Sequence, residues 1–411
     1  MTMNRRRWLG RAAACVSVGP RIALRLRAQP GASAQLPARA DFPIAEEITY
    51  LNNAFWHPLS SGVIAAVQSY LQRKAKGSSH ISYGPMGEQV KAQFARLINA
   101  SPSAISFVPS TVSGENLVVA GLDIAHTKGN VVTDSLHYES STYLYRTLQA
   151  QGVDVRFVKP RDWRIELADL EKAVDRNTKL VAISLVSYLN GFQHDLKAVC
   201  DLAHNHGAHV YGDLVQAAGA VPIDVHAAGV DFCSCGSHKW LMGDMGLGFL
   251  YVRENLLDKV IRRTQFGSRQ ISDYQNHVFP YDLTPDGAAT WKPVSGTAGH
   301  FEIGTISQTT VAALSYSLPF IERLGVANIQ AHAQSLTVRL QNELPRLGFP
   351  SVTPIDAKSS IVSFVVTDPE RVAAKLEKAK VDVKIDQHLM RITPSVYNDQ
   401  ADIDKLLNIL S

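Results

Sequence analysis

Two polar residues stand at the ends of apolar runs, where a solvent-facing charge is out of place. Asp213 closes Ala208-His209-Val210-Tyr211-Gly212 and opens Asp213-Leu214-Val215-Gln216. Lys239, 26 residues later, follows Val230-Asp231-Phe232-Cys233-Ser234-Cys235-Gly236 within Ser237-His238-Lys239-Trp240. Both runs read as strands, so each delivers a polar group to a strand end. A lysine drawn out of water has a depressed pKa and attacks carbonyl carbon as a free amine. A carboxylate at a buried strand end is costly unless a proton-bearing partner faces it. The plainer alternatives are a snorkelling edge lysine and an aspartate capping the helix that follows.

Other residues extend this pair. Ser110-Thr111-Val112-Ser113-Gly114 follows the run ending at Val108. Hydroxyls and free backbone N–H groups at a strand-to-helix turn make an anion site, unless they simply cap the helix. Ser237 and His238 add donors beside the lysine, and Gly304-Thr305 is a further small polar turn. His137 follows another apolar run; its imidazole can stack on a ring and pass protons, or be structural. Arg391, between Met390 and Ile392, is an inward strand-borne cation. It can grip a carboxylate bidentately or sit in an internal salt bridge. One cofactor needs both an amine and an acid: pyridoxal phosphate, whose aldehyde is held as a Schiff base and whose ring nitrogen is kept protonated.

The order and spacing of these residues resemble the class V aminotransferase family of the fold type I pyridoxal phosphate enzymes. That family includes cysteine desulfurases, kynureninases and isopenicillin N epimerase-like proteins. The resemblance spans nearly all of residues 45–411. It implies that Lys239 is the Schiff-base lysine, Asp213 the pyridine partner, Gln216 the donor to the phenolic oxygen and His137 the stacking residue. Ser110, Thr111, Val112, Ser237 and His238 correspond to a phosphate cradle. Arg391 corresponds to the substrate-carboxylate arginine, with Asn53 and Tyr188 as further substrate contacts. Thr305 matches a position that reaches the neighbouring subunit's phosphate, which implies a homodimer.

The departures narrow the chemistry. Desulfurases of the family carry a nucleophilic cysteine shortly before the arginine, and residues 351–391 contain none. A persulfide-forming desulfurase is therefore not expected. Ser187-Tyr188-Leu189-Asn190-Gly191 replaces the desulfurase Ser-Asn-x-x-Gly. The nearer likeness is to the epimerase-like branch, some exported members of which tailor secreted peptides such as siderophores. The expected activity is aminotransferase-type chemistry on an amino acid or a peptide-borne amino group. Epimerisation and C–S or β-elimination are alternatives on the same scaffold, and a non-catalytic pyridoxal phosphate-binding protein is the alternative of another class.

The elements that must position these residues follow from the periodicity. Strand-like runs fall at 104–108, 130–133, 153–158, 180–185, 209–211, 231–236 and 248–252, with helical patterns at 114–122, 138–150, 167–174 and 196–206 between them. Such alternation predicts an α/β fold: a large domain with a mostly parallel seven-stranded sheet between helices, plus a smaller C-terminal α+β domain. The expected division is a leader (1–34), an N-terminal segment packing on the small domain (35–60), a cofactor-binding domain (61–305) and a small domain (306–411). Residues 264–300, with Tyr274, His277, Tyr281 and Trp291, show no periodicity and read as a long loop over the site. Beyond them come a long helical stretch (309–347) and short strands at 361–367, 381–385 and 389–393.

Composition bounds the rest. The 411 residues are 45% hydrophobic and 19% charged, ordinary globular material. The net charge of +4 is local, because residues 1–34 hold seven arginines and no acid. Without them 34 Lys+Arg face 37 Asp+Glu, a charge of −3, and no basic stripe suggests nucleic acid. Asn4-Arg5-Arg6-Arg7-Trp8-Leu9-Gly10 resembles a twin-arginine export motif, with Ala12 to Val18 as a short apolar region and Ala32-Ser33-Ala34 as a cleavage site. Periplasmic export is the expectation; a mitochondrial presequence or a cytoplasmic protein with an inert tail is the alternative. No run is long enough to span a bilayer. Cys233 and Cys235 share one strand face and read as buried, inert thiols rather than metal ligands.

Overall fold

The computed structural model describes residues 35–77, 83–275 and 289–411. The leader, His277 and Tyr281 lie outside them. A short strand, β1 (Thr49–Tyr50), precedes the main sheet. Its seven members are β2 (Ile105–Val108), β3 (Asn130–Asp134), β4 (Asp154–Val158), β5 (Thr178–Ser184), β6 (His209–Asp213), β7 (Phe232–Gly236) and β8 (Gly248–Val252). They lie in the order β2-β8-β7-β6-β5-β3-β4. All seven expected strands are present, with ends shifted by at most two residues.

β8 is antiparallel to both of its neighbours, and every other pair is parallel. The two reversals at β8 leave β2 pointing the same way as β7. The carboxyl ends of β2, β3, β5, β6 and β7 therefore open on one edge of the sheet. That edge receives the Ser110 turn, His137, Tyr188, Asp213 and Lys239. Register sharpens this, since Ser184 pairs with Asp213 and Asp213 with Ser234.

Alternate residues of the strands enter two separate cores. Val132, Val181, Val210, Cys233 and Phe249 belong to one, and Val131, Leu180, Tyr211, Phe232 and Leu250 to the other. A sheet covered on both faces must be apolar on both, which explains the near-continuous hydrophobic runs. Ile183 is fully buried, and Ile183→Ala is worth about 2–5 kcal/mol of stability. One close approach matters for the site. A Cβ on Gly114 would lie 2.7 Å from the Ser234 Cβ, so glycine lets the helix Thr111–Gly121 settle on β7.

The described parts of 264–300 hold more regular structure than their composition suggests. They hold an antiparallel hairpin of β9 (Ile271–Gln275) and β10 (Thr290–Pro293), then a helix, Gly296–Phe301. The hairpin is exposed almost throughout, so neither face required an apolar alternation. The long helical stretch is likewise two helices, Gln308–Leu324 and Val326–Glu343, parted by Gly325 at φ 78°. In the smaller C-terminal domain β11 (Val362–Val365), β13 (Lys384–Asp386) and β14 (Leu389–Ile392) form an antiparallel sheet, and β12 (Val381–Asp382) pairs in parallel with β1. Leu51 joins the core of this sheet and its helices.

Candidate active site

Lys239 leaves β7 through the turn Ser237-His238 and is 8% exposed. Burial lowers its pKa to about 8, the nearby Asp213 offsetting only part of that and Arg391 adding to it. A useful fraction of this amine is therefore unprotonated at neutral pH. Its Nζ lies 5.6 Å from the centre of the Tyr138 ring. Tyr138 caps the helix Glu139–Ala150 and stands on the cleft wall.

Asp213, the last residue of β6, is 2% exposed. Its Oδ1 accepts from Val215 N at 2.8 Å, and its Oδ2 lies 3.5 Å from Ser184 Oγ. Burial raises the pKa of its carboxyl, and His137 and the Val215 amide offset only part of that rise. Among the described residues no cation forms an ion pair with it. A buried carboxylate of this kind suits an N–H donor brought by a bound ring.

Arg391 on β14 is also buried. Its Nη1 donates to the Tyr188 carbonyl at 2.8 Å, and its Nε has no partner. The internal salt bridge that its sequence position allowed is not formed among the described residues. Arg391, Lys239, Tyr138, Tyr188 and His238 line one cleft of about 340 Å³. Tyr188 meets Tyr138 edge-on at 5.2 Å. Phe55 and Met245 line the same cleft and are 57% and 50% exposed.

The turn at Ser110 caps the helix that follows it. Ser110 Oγ accepts from Ser113 N at 3.1 Å, capping Thr111–Gly121. Thr111 Oγ1 accepts from Gly236 N at 2.8 Å, and Ser234 Oγ donates to the Thr111 carbonyl at 2.8 Å. These bonds clamp the turn to the segment that carries Lys239. Val112 and Thr305 do not line the Lys239 cleft. They face a second cavity, of about 650 Å³, with Gly246 in its wall next to Met245 of the cleft.

Three expected site residues are placed differently. Ser237 is fully buried and turned away from the cleft, its Oγ donating to the Leu247 carbonyl at 2.7 Å. Its one hydroxyl proton is therefore committed and it offers no anion donor. Asn53 is a staple between the N-terminal segment and the small domain rather than a cleft residue. Its Nδ2 donates to the Thr393 carbonyl at 2.7 Å, and its Oδ1 accepts from Tyr397 at 2.6 Å. His137 is 2% exposed and does not line the cleft, and both of its ring nitrogens are engaged. Nδ1 meets Ser184 Oγ at 2.8 Å and Nε2 meets Glu115 Oε1 at 3.2 Å. Gln216 is held rigidly, with Nε2 donating to the Ala54 carbonyl and Oε1 accepting from Trp240 Nε1, both at 2.9 Å. One N–H of its amide stays available.

Two residues escaped the sequence reading. Tyr138 was overlooked beside the more suggestive His137. Glu115, 1% exposed, has as its one sequence signal that it is the lone carboxylate of the helix Thr111–Gly121. The cysteines Cys200, Cys233 and Cys235 are free and buried, and burial pushes their thiols up. None lines the cleft, and no cluster of metal-ligating side chains occurs among the described residues.

Comparison with known proteins agrees with this geometry. A family model described as Aminotransferase class-V matches residues 49–406. A probable cysteine desulfurase of Pyrococcus abyssi is 26% identical over 399 residues, covering 90% of this chain and 96% of its own. The apo structure of a cysteine desulfurase from Thermococcus onnurineus NA1 matches with a TM-score of 0.80 at 26% identity, over 92% of this chain and 98% of that one. C-DES, solved as a variant with glycine covalently linked to its PLP cofactor, matches in fold with a TM-score of 0.78 at 21% identity, over 90% and 98% of the two chains. The buried amine, the cation-free carboxylate, the capped helix terminus and the cleft-facing aromatic ring all fit pyridoxal phosphate.

Proposed function

We propose, because the chain belongs to the class-V aminotransferase family of pyridoxal phosphate enzymes, that it acts on a small α-amino acid and cleaves a bond at its β-carbon. The observation that carries the amino-acid assignment is Arg391, a buried guanidinium that lines the cleft and forms no ion pair among the described residues. A substrate carboxylate supplies the acceptor that the protein withholds. Pyridoxal phosphate, when bound, draws into its ring the electron pair left on the substrate's α-carbon. Lys239 would hold the cofactor's aldehyde and, as a free amine in the cleft, is the group placed to take the α-proton. Asp213 holds the proton of the ring nitrogen, Tyr138 offers the ring face and the N-terminus of Thr111–Gly121 offers donors to the phosphate. Thr305 on a second chain completes the phosphate site in a homodimer.

The relatives named as desulfurases support C–S cleavage. The absence of a cysteine from the cleft argues that sulfur leaves in a small molecule rather than on the protein. Transamination is the second reading, because Lys239 serves it equally well by taking up a proton and then returning it. Product analysis separates the two. Sulfur-bearing amino acids should release a sulfur species and ammonia without a keto-acid acceptor. Turnover that requires a keto acid, with the amino group transferred to it, would establish transamination instead.

A further inference from the structure

Behind Asp213 runs a buried polar chain whose other members the proposed chemistry does not use. Glu115 sits on the helix Thr111–Gly121, His137 on the turn after β3, Ser184 at the end of β5 and Asp213 at the end of β6. All four are at most 5% exposed. Ser141 Oγ donates to Glu115 Oε2 at 2.5 Å, fixing that carboxylate from its far side. His137 then bridges Glu115, 3.2 Å from Nε2, and Ser184, 2.8 Å from Nδ1. Ser184 Oγ reaches Asp213 Oδ2 at 3.5 Å.

The protons of this chain can be counted. With Glu115 Oε1 as the acceptor, His137 Nε2 carries the hydrogen of their bond. If Nδ1 is bare, the single Ser184 hydroxyl proton turns to it and Asp213 Oδ2 loses its donor. If Nδ1 is protonated, it donates to Ser184 Oγ, and the Ser184 proton is free to point at Asp213. The protonated imidazole lies between carboxylates at either end of the chain, an arrangement that stabilises its charge. The titratable groups facing it are Glu115, Asp134, Tyr145 and Asp213. Burial alone pulls the imidazole down, but Glu115, Asp213 and Asp134 outweigh it and its pKa is raised.

We infer that Glu115, His137 and Ser184 form a relay that holds a proton on His137 and so keeps Asp213 ionised toward the ring nitrogen of the cofactor. The relay rests on the pyridoxal phosphate reading of the site and deepens it. Glu115, His137 and Ser184 are positioning residues, acting on the cofactor through Asp213.

The test uses the full-length protein loaded with pyridoxal phosphate labelled with nitrogen-15 in the ring. The ring-nitrogen chemical shift is followed against pH in wild type, Glu115→Gln and Ser184→Ala, with circular dichroism as the check on folding. In each variant the ring nitrogen should lose its proton at least about one pH unit below wild type. The double variant should shift no further than the larger single one, because both changes cut the same chain. Ser184→Ala removes a single oxygen and decides the matter alone if Glu115→Gln does not fold. Loaded, folded variants with an unmoved titration overturn the relay and leave the cofactor assignment standing. A wild type that takes up no cofactor overturns the underlying reading and the relay with it.

Discussion

At the cleft, two side chains carry most of the chemistry, and each makes a measurable demand. Arg391 holds the Tyr188 carbonyl with Nη1 and leaves Nε without a partner. Lysine keeps the charge but not the planar fork. Arg391→Lys should therefore raise KM for an amino-acid substrate about tenfold to a hundredfold, with a smaller effect on kcat, as steady-state kinetics would show. Lys239 makes a pH demand. Its pKa of about 8 in the cofactor-free protein means that the reactive free amine is the minor form below that pH. The rate of covalent cofactor uptake should climb about tenfold per pH unit up to about 8 and then level off. A stopped-flow rate still rising at pH 10 would place the amine in water. Lys239, Asp213 and Arg391 were legible because a charge next to an apolar run is anomalous in any sequence. Tyr138 was not, because an aromatic at the start of an amphipathic helix looks like ordinary packing.

The site depends on elements that bring distant strand ends to one edge. Thr111–Gly121 is the most exposed to test, since it supplies the anion turn at one end and Glu115 within. Gly114→Ala places a Cβ 2.7 Å from the Ser234 Cβ, a clash between two groups that have no rotamer to give. The helix must lift, at a cost of about 1–3 kcal/mol. Thermal denaturation should show that loss, and cofactor affinity should fall with it. The strands were legible in the sequence because burial on both faces demands unbroken apolar runs. The exposed hairpin of β9 and β10 obeys no such demand and read as loop. The break at Gly325 fell inside a hydrophobic stretch whose periodicity barely changes across it. Pairings such as Thr111 with Gly236 and Glu115 with His137 join residues 125 and 22 apart. No local pattern encodes them.

For the whole molecule, the α/β class with its smaller C-terminal domain followed from the alternation of strand and helix patterns. The staple of Asn53 to Thr393 and Tyr397 did not, since it joins the two ends of the chain. We propose that residues 1–34 direct export. A fusion of residues 1–40 to a folded reporter should reach the periplasm, and Arg5→Lys with Arg6→Lys should stop it. Export that survives the double change would refute the twin-arginine reading. The central claim, that one lysine at the end of β7 holds pyridoxal phosphate, has a more direct test. The full chain is incubated with the cofactor, reduced with borohydride, digested, and its peptides weighed by mass spectrometry. One adduct should appear, on the peptide containing Lys239, and the accompanying visible absorption band should vanish in Lys239→Ala. A wild-type protein with no adduct, or with its adduct on another lysine, would contradict the account.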